Sequence, residues 1–288
     1  MSVFIVGNIV DFTICKLKTP IRRGESCIAS EIQSTIGNDA AIVAIVLAKM
    51  GYPIVFGMLN PITQSLADKI DSFGIKIQNL KIDNSTGKTV LLESISGERT
   101  FISSYGELNY SYHITDDTKY IYFDLYDENY EDFQILMSKL KNRKDIQLFV
   151  NLSSSNLIDK CCFLSRFNKM NTIYIQLSYN KELVESTIRM VSQILPEAIL
   201  ILTCGCYGSY LSYVNKINYL AANVCKNDNY LGTGAFFSAF FLNALYNNRS
   251  LISAQEYATK NVGSLCKKGL PILLDAINFV DRGDVLFE

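Results

Sequence analysis

Tryptophan is absent from this chain, and histidine occurs once, at His113. A single imidazole leaves little scope for Ser–His or Cys–His catalysis, which needs a base beside its nucleophile. His113 lies in a polar, tyrosine-rich stretch with no nucleophile motif next to it, and reads as a surface or interface residue. An excess of charge is missing too: 27 Lys and Arg against 28 Asp and Glu give a net charge of −1. That argues against a nucleic-acid partner and confines any anion site to a local one. No apolar run reaches the roughly 18 residues that a membrane-spanning helix needs, so no membrane partner is expected. The first ten residues lack a basic segment and a small-residue cleavage site, so no signal peptide is expected. No C-x-x-C pair occurs among the eight cysteines, and Cys204-x-Cys206 alone is too little for zinc. Reduced thiols in a cytoplasmic protein are the expectation.

What is present suits a folded core. Hydrophobic residues make up 49% of the 288 and charged residues 19%. That length allows one large domain or two small ones. Apolar runs at 3–6, 53–58, 120–125, 147–152, 172–177 and 199–203 read as strands. Helical spacing marks 39–50, 63–73, 131–140, 181–195, 236–246, 254–266 and 273–279. The alternation predicts a mostly parallel sheet covered by helices on both faces. Two excursions break the rhythm. The stretch 12–36 alternates loosely, and 89–104 carries a hairpin turn at Ser96-Gly97-Glu98-Arg99. They read as a small β-lid on one edge, with Arg99 as a solvated turn charge.

The run Gly232-Thr233-Gly234-Ala235 precedes an apolar stretch from Phe236 to Leu245. A helix starting there would point backbone N–H groups and the positive end of its dipole at an anion. A helix start that merely needs small residues is the alternative. Asp11 follows the first strand, where a carboxylate can accept two hydroxyls or cap a turn. Thr203-x-Gly205-x-x-Gly208 reads as a strand-to-turn loop.

Taken in order, these pieces resemble the PfkB/ribokinase family of carbohydrate kinases over most of the chain. Gly7-Asn8-Ile9-Val10-Asp11 resembles the family's opening G-x-x-x-D, and Gly37-Asn38-Asp39-Ala40-Ala41-Ile42 its G-G-x-x-x-N. Leu47-Ala48-Lys49-Met50-Gly51 resembles L-A-R-L-G, and Thr86-Gly87 with Gly97-Glu98-Arg99-Thr100 a T-G strand and a G-E-R-T hairpin. Thr203-x-Gly205-x-x-Gly208 resembles T-x-G-x-x-G, Gly232-Thr233-Gly234-Ala235 the G-A-G-D signature, and Lys267-Lys268-Gly269 a terminal R-x-G.

The resemblance implies an α/β, Rossmann-like, mostly parallel sheet sandwiched by helices. It implies a single ribokinase-like domain over 1–288, with lid segments at about 12–36 and 86–105. It also implies ATP with Mg²⁺ as cofactors, a sugar or sugar derivative as acceptor, and a homodimer through the β-lid. Residue by residue, Gly232, Thr233 and Gly234 form the anion hole, and Asn180, Thr203, Gly205 and Gly208 bind nucleotide. Asp11, Gly37 and Asn38 bind the acceptor. Glu182 acts on Mg²⁺ through water, although Asn180-x-Glu182 is one residue shorter than the family's N-x-x-E.

The family's base aspartate falls on Ala235, which cannot accept a proton. Loss of a general base costs about 10²–10⁴ in rate. Further departures are Ile42 for the sugar-binding Asn, Asn229 for an Asp, Ala258 for a late Asn, Phe240 for a small residue, and Asn60-Pro61-Ile62-Thr63-Gln64-Ser65 for G-D-D-x-x-G. They favour natural divergence over one engineered change. The expectation is a sugar kinase fold with impaired transfer; the alternative is a non-catalytic nucleotide- or sugar-binding pseudokinase, or a structural partner whose pocket Phe240 fills.

Overall fold

Long apolar runs with no alternation belong in a sheet buried on both faces, and that is where they lie. A computed structural model describes residues 2–267 except 86, 96–98, 107, 109–110, 127–128, 168–171, 179–180, 215 and 223–230. The helix expected at 273–279, together with Thr86, Gly97, Glu98, Asn180, Asn229, Lys268 and Gly269, lies outside the described residues.

The chain opens with β1 (Ser2–Gly7), β2 (Val10–Leu17), β3 (Ala29–Gly37), α1 (Asp39–Lys49) and β4 (Ile54–Met58). Next come α2 (Gln64–Asp71), β5 (Lys76–Gln78), β6 (Lys88–Glu93), β7 (Arg99–Ser104) and β8 (Thr118–Leu125). The middle holds α3 (Tyr130–Leu140), β9 (Gln147–Leu152), α4 (Leu157–Ser165), β10 (Thr172–Ser178) and α5 (Val184–Ile194). The last elements are β11 (Ile199–Thr203), β12 (Ser209–Tyr213), β13 (Lys216–Leu220), α6 (Thr233–Tyr246) and α7 (Leu251–Lys267).

The large sheet has nine strands in the order β13-β12-β11-β10-β9-β8-β1-β4-β5. Every neighbouring pair from β5 to β11 is parallel, and β12 and β13 close the far edge antiparallel. A second sheet of four strands, in the order β3-β2-β6-β7, takes up both excursions. Its outer pairs are antiparallel, and its central β2–β6 pair is parallel. This is the mostly parallel, helix-covered sheet that the strand–helix alternation predicts.

Two apolar clusters form, one on each face of the large sheet. One packs α1, α2, α6 and α7, the other α3, α4 and α5. Helices α1 and α6 are apolar nearly all round, with Ala40–Leu47 and Ala235–Leu245 buried. Such helices belong in the middle of a core, and α1 and α6 pack along each other. Both therefore bring their N-termini to the same end of the sheet, where β10 and β11 also finish.

Four elements are not anticipated by the sequence pattern. The three residues of β5 are too short to leave one. In α4 the apolar stripe is broken by Lys160, whose fully buried ammonium donates to Ser153 Oγ and Ser155 O (both 2.6 Å). In β12 the inward positions include Ser209 and Ser212, and β13 is mostly exposed, so neither shows clear alternation.

Candidate active site

The first turn of α6 is held by its neighbours rather than by a cap. Gly232 sits at φ 77° as the N-cap residue, and among the described residues no side-chain capping bond is formed. The first intrahelical bond runs from Phe236 N to Gly232 O (3.1 Å). N–H groups ahead of it have no acceptor within the helix, which makes the turn suited to an anion. Gly234 is required by proximity: an added Cβ would lie 2.7 Å from Ser178 Oγ and 3.9 Å from Thr203 Oγ1. The two hydroxyls, at the ends of β10 and β11, are 3.2 Å apart, and Gln176 Nε2 donates to Thr203 Oγ1 (3.3 Å). A small polar floor thus faces the helix start.

Gly208 closes the turn after β11. It takes φ 97°, and a Cβ there would meet Leu220 O at 2.1 Å, so any side chain is excluded twice over. A cavity of about 850 Å³ opens between this turn, the start of α6 and the side of α7. Thr203, Gly205, Gly208, Gly232, Thr233 and Gly234 all line it. Its volume is in the range of sites that bury a nucleotide-sized ligand.

A smaller cavity of about 280 Å³ adjoins it, walled by Val10, Phe12, Gly37, Asn38, Ile42, Thr89, Ser103 and Tyr126 among others. Among the described residues four line both cavities: Asp39, Phe101, Leu231 and Gly232. Asn38, at φ 85°, turns the chain into α1; its Oδ1 accepts from Asp39 N (2.7 Å) and from the Tyr126 hydroxyl (3.0 Å). Behind Asp39 lies Asp124, which is fully buried. Asn151 Nδ2 donates to both carboxylates, to Asp39 Oδ2 at 3.0 Å and Asp124 Oδ1 at 2.9 Å. Ala40 N donates to Asp124 Oδ2 (2.7 Å). Burial first, and then the charge of Asp39, raise the Asp124 carboxyl to about 7. Burial also raises Asp39, against the hydrogen bond from Asn151. Two close carboxylates that share one donor do not both ionise readily.

No family model and no curated protein matches the sequence. Solved structures do match. Ribokinase from Cryptococcus neoformans var. grubii serotype A, in complex with ADP, superposes with a TM-score of 0.74 at 15% identity, over 96% of this chain and 98% of that one. Arabidopsis thaliana ribokinase, complexed with ribose and ATP, gives 0.71 at 14%, over 100% and 99%. Burkholderia thailandensis nucleoside kinase, in complex with inosine, gives 0.66 at 14%, over 98% and 97%. This chain has the ribokinase fold.

Within that fold the expected residues divide. The nucleotide-side residues that are described share one cavity, and Gly37 and Asn38 share the other. Asp11 lines neither: on β2 it points away from Val10 and Phe12, and its Oδ2 accepts from Thr63 Oγ1 (3.2 Å). Glu182, in the 3₁₀ turn Lys181–Leu183, is exposed and outside the cavity walls, although its neighbour Leu183 lines the larger one. Among the described residues no group of three or more His, Cys, Asp or Glu could hold a metal ion. The protein groups described do not form a Mg²⁺ cage. Ala235 is buried at 1% exposure behind the helix start.

Two side chains depart from the sequence reading. Arg99 is not a solvated turn charge: it is partly buried, pairs through Nε with Glu93 Oε2 (2.9 Å), and lines the larger cavity. Phe240 is fully buried, packs edge-on against Tyr257 and lines neither cavity. Asp39 reads from sequence only as the start of a helix. Its one signal there is a lone charge between Gly37 and a wholly apolar run.

Proposed function

We propose that the chain binds a nucleoside triphosphate in the larger cavity and a small polyhydroxylated acceptor, a sugar or nucleoside, in the smaller one. The γ-phosphoryl group then passes between them. The observation that carries this is the shared wall: Gly232 and Asp39 belong to both cavities, so two ligands meet at the N-terminus of α6. Phosphoryl transfer is mainly positioning and charge stabilisation, and a helix N-terminus supplies the second through backbone N–H groups. Mg²⁺ is held largely by phosphates and water, so it would arrive with the nucleotide. The relatives of like fold were solved with ADP, ATP, ribose and inosine, which supports this pairing of ligands.

Transfer is slowed by Ala235, where no proton acceptor stands. The second reading, a protein that binds both ligands without transfer, is favoured by that same residue. In either case no described helix is long and apolar enough to cross a membrane, which fits the cytoplasmic setting expected of a sugar kinase. Ile32, Phe101 and Ile102 are exposed at 55–67% on the edge strands β3 and β7 of the small sheet. Pairing of this sheet between two copies would cover them.

The test combines calorimetric titration of ATP–Mg²⁺ with a γ-labelled ATP assay over D-ribose, D-fructose and inosine. Binding with product formation supports transfer. Binding without product leaves the second reading, and an absence of ATP binding removes both.

A further inference from the structure

We propose that Asp39 is the proton acceptor for the attacking hydroxyl, acting from the first turn of α1 in the role that Ala235 cannot fill. This deepens the kinase reading and rests on it. Of the four described residues that line both cavities, Asp39 is the one with an ionisable side chain. It therefore stands where an acceptor hydroxyl in the small cavity meets a phosphate lying over Gly232.

The carboxylate is oriented for the task. Asn151 holds Oδ2 at 3.0 Å, and among the described residues Oδ1 has no hydrogen bond. As first residue of α1, Asp39 also sits at the positive end of a helix dipole, which favours its ionised form. The buried neighbour Asp124 acts as the proton reservoir of the pair. It is fully enclosed, and burial raises both carboxyls, Asp124 to about 7, so the pair shares a proton and the more accessible Asp39 is the member that exchanges it.

The step balances without another reagent. The acceptor O–H bond breaks and its proton goes to Asp39 Oδ1. The hydroxyl oxygen forms a bond to the γ-phosphorus, and the bridging P–O bond breaks with its electron pair leaving on the nucleoside diphosphate. Asp39 then releases the proton to solvent through the open cavity.

The charged and titratable groups around Asp39 come from several elements. Asp124 and Tyr122 lie on β8, and Tyr126 follows it. Arg99 on β7 shares the larger cavity, and Tyr105 lines the smaller one. The first turn of α6 brings no acidic residue. Any pH profile is therefore set by the Asp39–Asp124 pair as a unit.

The experiment compares wild type, Asp39→Asn, Ala235→Asp and the double variant in single turnover of γ-labelled ATP–Mg²⁺ with D-ribose, D-fructose and inosine, from pH 5 to 9. ATP titrations are run on the same preparations. The expected result is a rate about 100-fold lower or more in Asp39→Asn, with ATP affinity kept. The wild-type rate should rise from acid towards neutral pH, and that limb should vanish in Asp39→Asn. Activity should return in the double variant, where the carboxylate introduced at position 235 takes over the proton and shows that the fold was intact. A purely structural role would lower the rate without removing the limb, and would not be rescued. An Asp39→Asn rate equal to wild type, or a wild type that binds ATP and forms no product, overturns the inference and leaves the binding site standing. Failure to bind ATP would instead strike the kinase reading itself.

Discussion

The two cavities are built by different means. Around the larger one the key positions are backbone: Gly208 at φ 97° against Leu220 O, Gly234 against Ser178, Gly232 at the start of α6. Around the smaller one they are side chains, and several are apolar: Val10, Phe12 and Ile42 beside Asn38 and Tyr126. A cradle of N–H groups needs only that nothing larger intrude, so it survives wide sequence change. A pocket that recognises hydroxyls needs particular polar atoms, and one substitution such as Ile42 for Asn changes its ligand. On the proposed reading the chain keeps the phosphate side of its fold and redefines the acceptor side.

The strongest way to sharpen this contrast is Ala235→Asp. In the Asp39→Asn background, where no base stands, it adds a carboxylate to the first turn of α6 and should raise single-turnover rate by about 10²–10⁴ without altering ATP affinity beyond a few-fold. An unchanged rate, in a variant that unfolds at the wild-type temperature, would mean that position 235 is not at the chemistry.

Gly208→Ala should break the backbone side. The left-handed φ and the 2.1 Å approach to Leu220 O together predict a loss of about 2–4 kcal/mol in urea unfolding. Gly234→Ala is the milder form. Its clash is with a single side-chain oxygen, Ser178 Oγ, so adding Ser178→Ala should relieve it. If the double variant is as impaired as the single one, the close approach is not what demands glycine.

A third outcome concerns pH. Asp124 is raised in the folded state to about 7, above its unfolded value. Between the two values the folded protein holds the extra proton, so stability falls as pH rises from about 4 to about 7. Asp124→Asn should flatten that slope in denaturation measured at pH 5 and pH 8, whatever it does to the absolute stability. An equal slope in the variant would remove Asp124 as its source.

The smallest effect is expected for Ile42→Asn. A hydroxyl-directed hydrogen bond is worth about 0.5–1.5 kcal/mol, so affinity for D-ribose should tighten by roughly 2- to 10-fold while ATP affinity stays put. A change confined to ATP would invert the assignment of the two cavities.

The same division governs what is legible in the sequence. Glycines at 208, 232 and 234 are visible as a pattern because backbone geometry leaves glycine as the residue that fits. The large sheet is legible where its runs are mostly apolar, as in Gln147–Leu152 and Ile199–Thr203, whose limits the structure repeats. Less legible are elements with polar residues turned inward, such as Lys160 in α4 and Ser209 and Ser212 in β12. Asp39 escapes notice for a related reason. Its importance comes from Asn151 and Asp124, distant by 112 and 85 positions in the chain, and no local spacing reports a contact of that kind. Asp11 shows the reverse: it fits a motif by position, yet strand alternation turns its carboxylate toward Thr63.

The central claim, that phosphates lie at the N-terminus of α6, is tested most directly by titrating ATP–Mg²⁺ into wild type and Thr233→Glu. A carboxylate at the first helical position favours the helix but puts negative charge into the cavity that Thr233 lines. One-site saturable binding by wild type, weakened about 10-fold or more in a Thr233→Glu variant with unchanged melting temperature, is the predicted result. Equal affinity in the two proteins, or no binding by wild type, would contradict it.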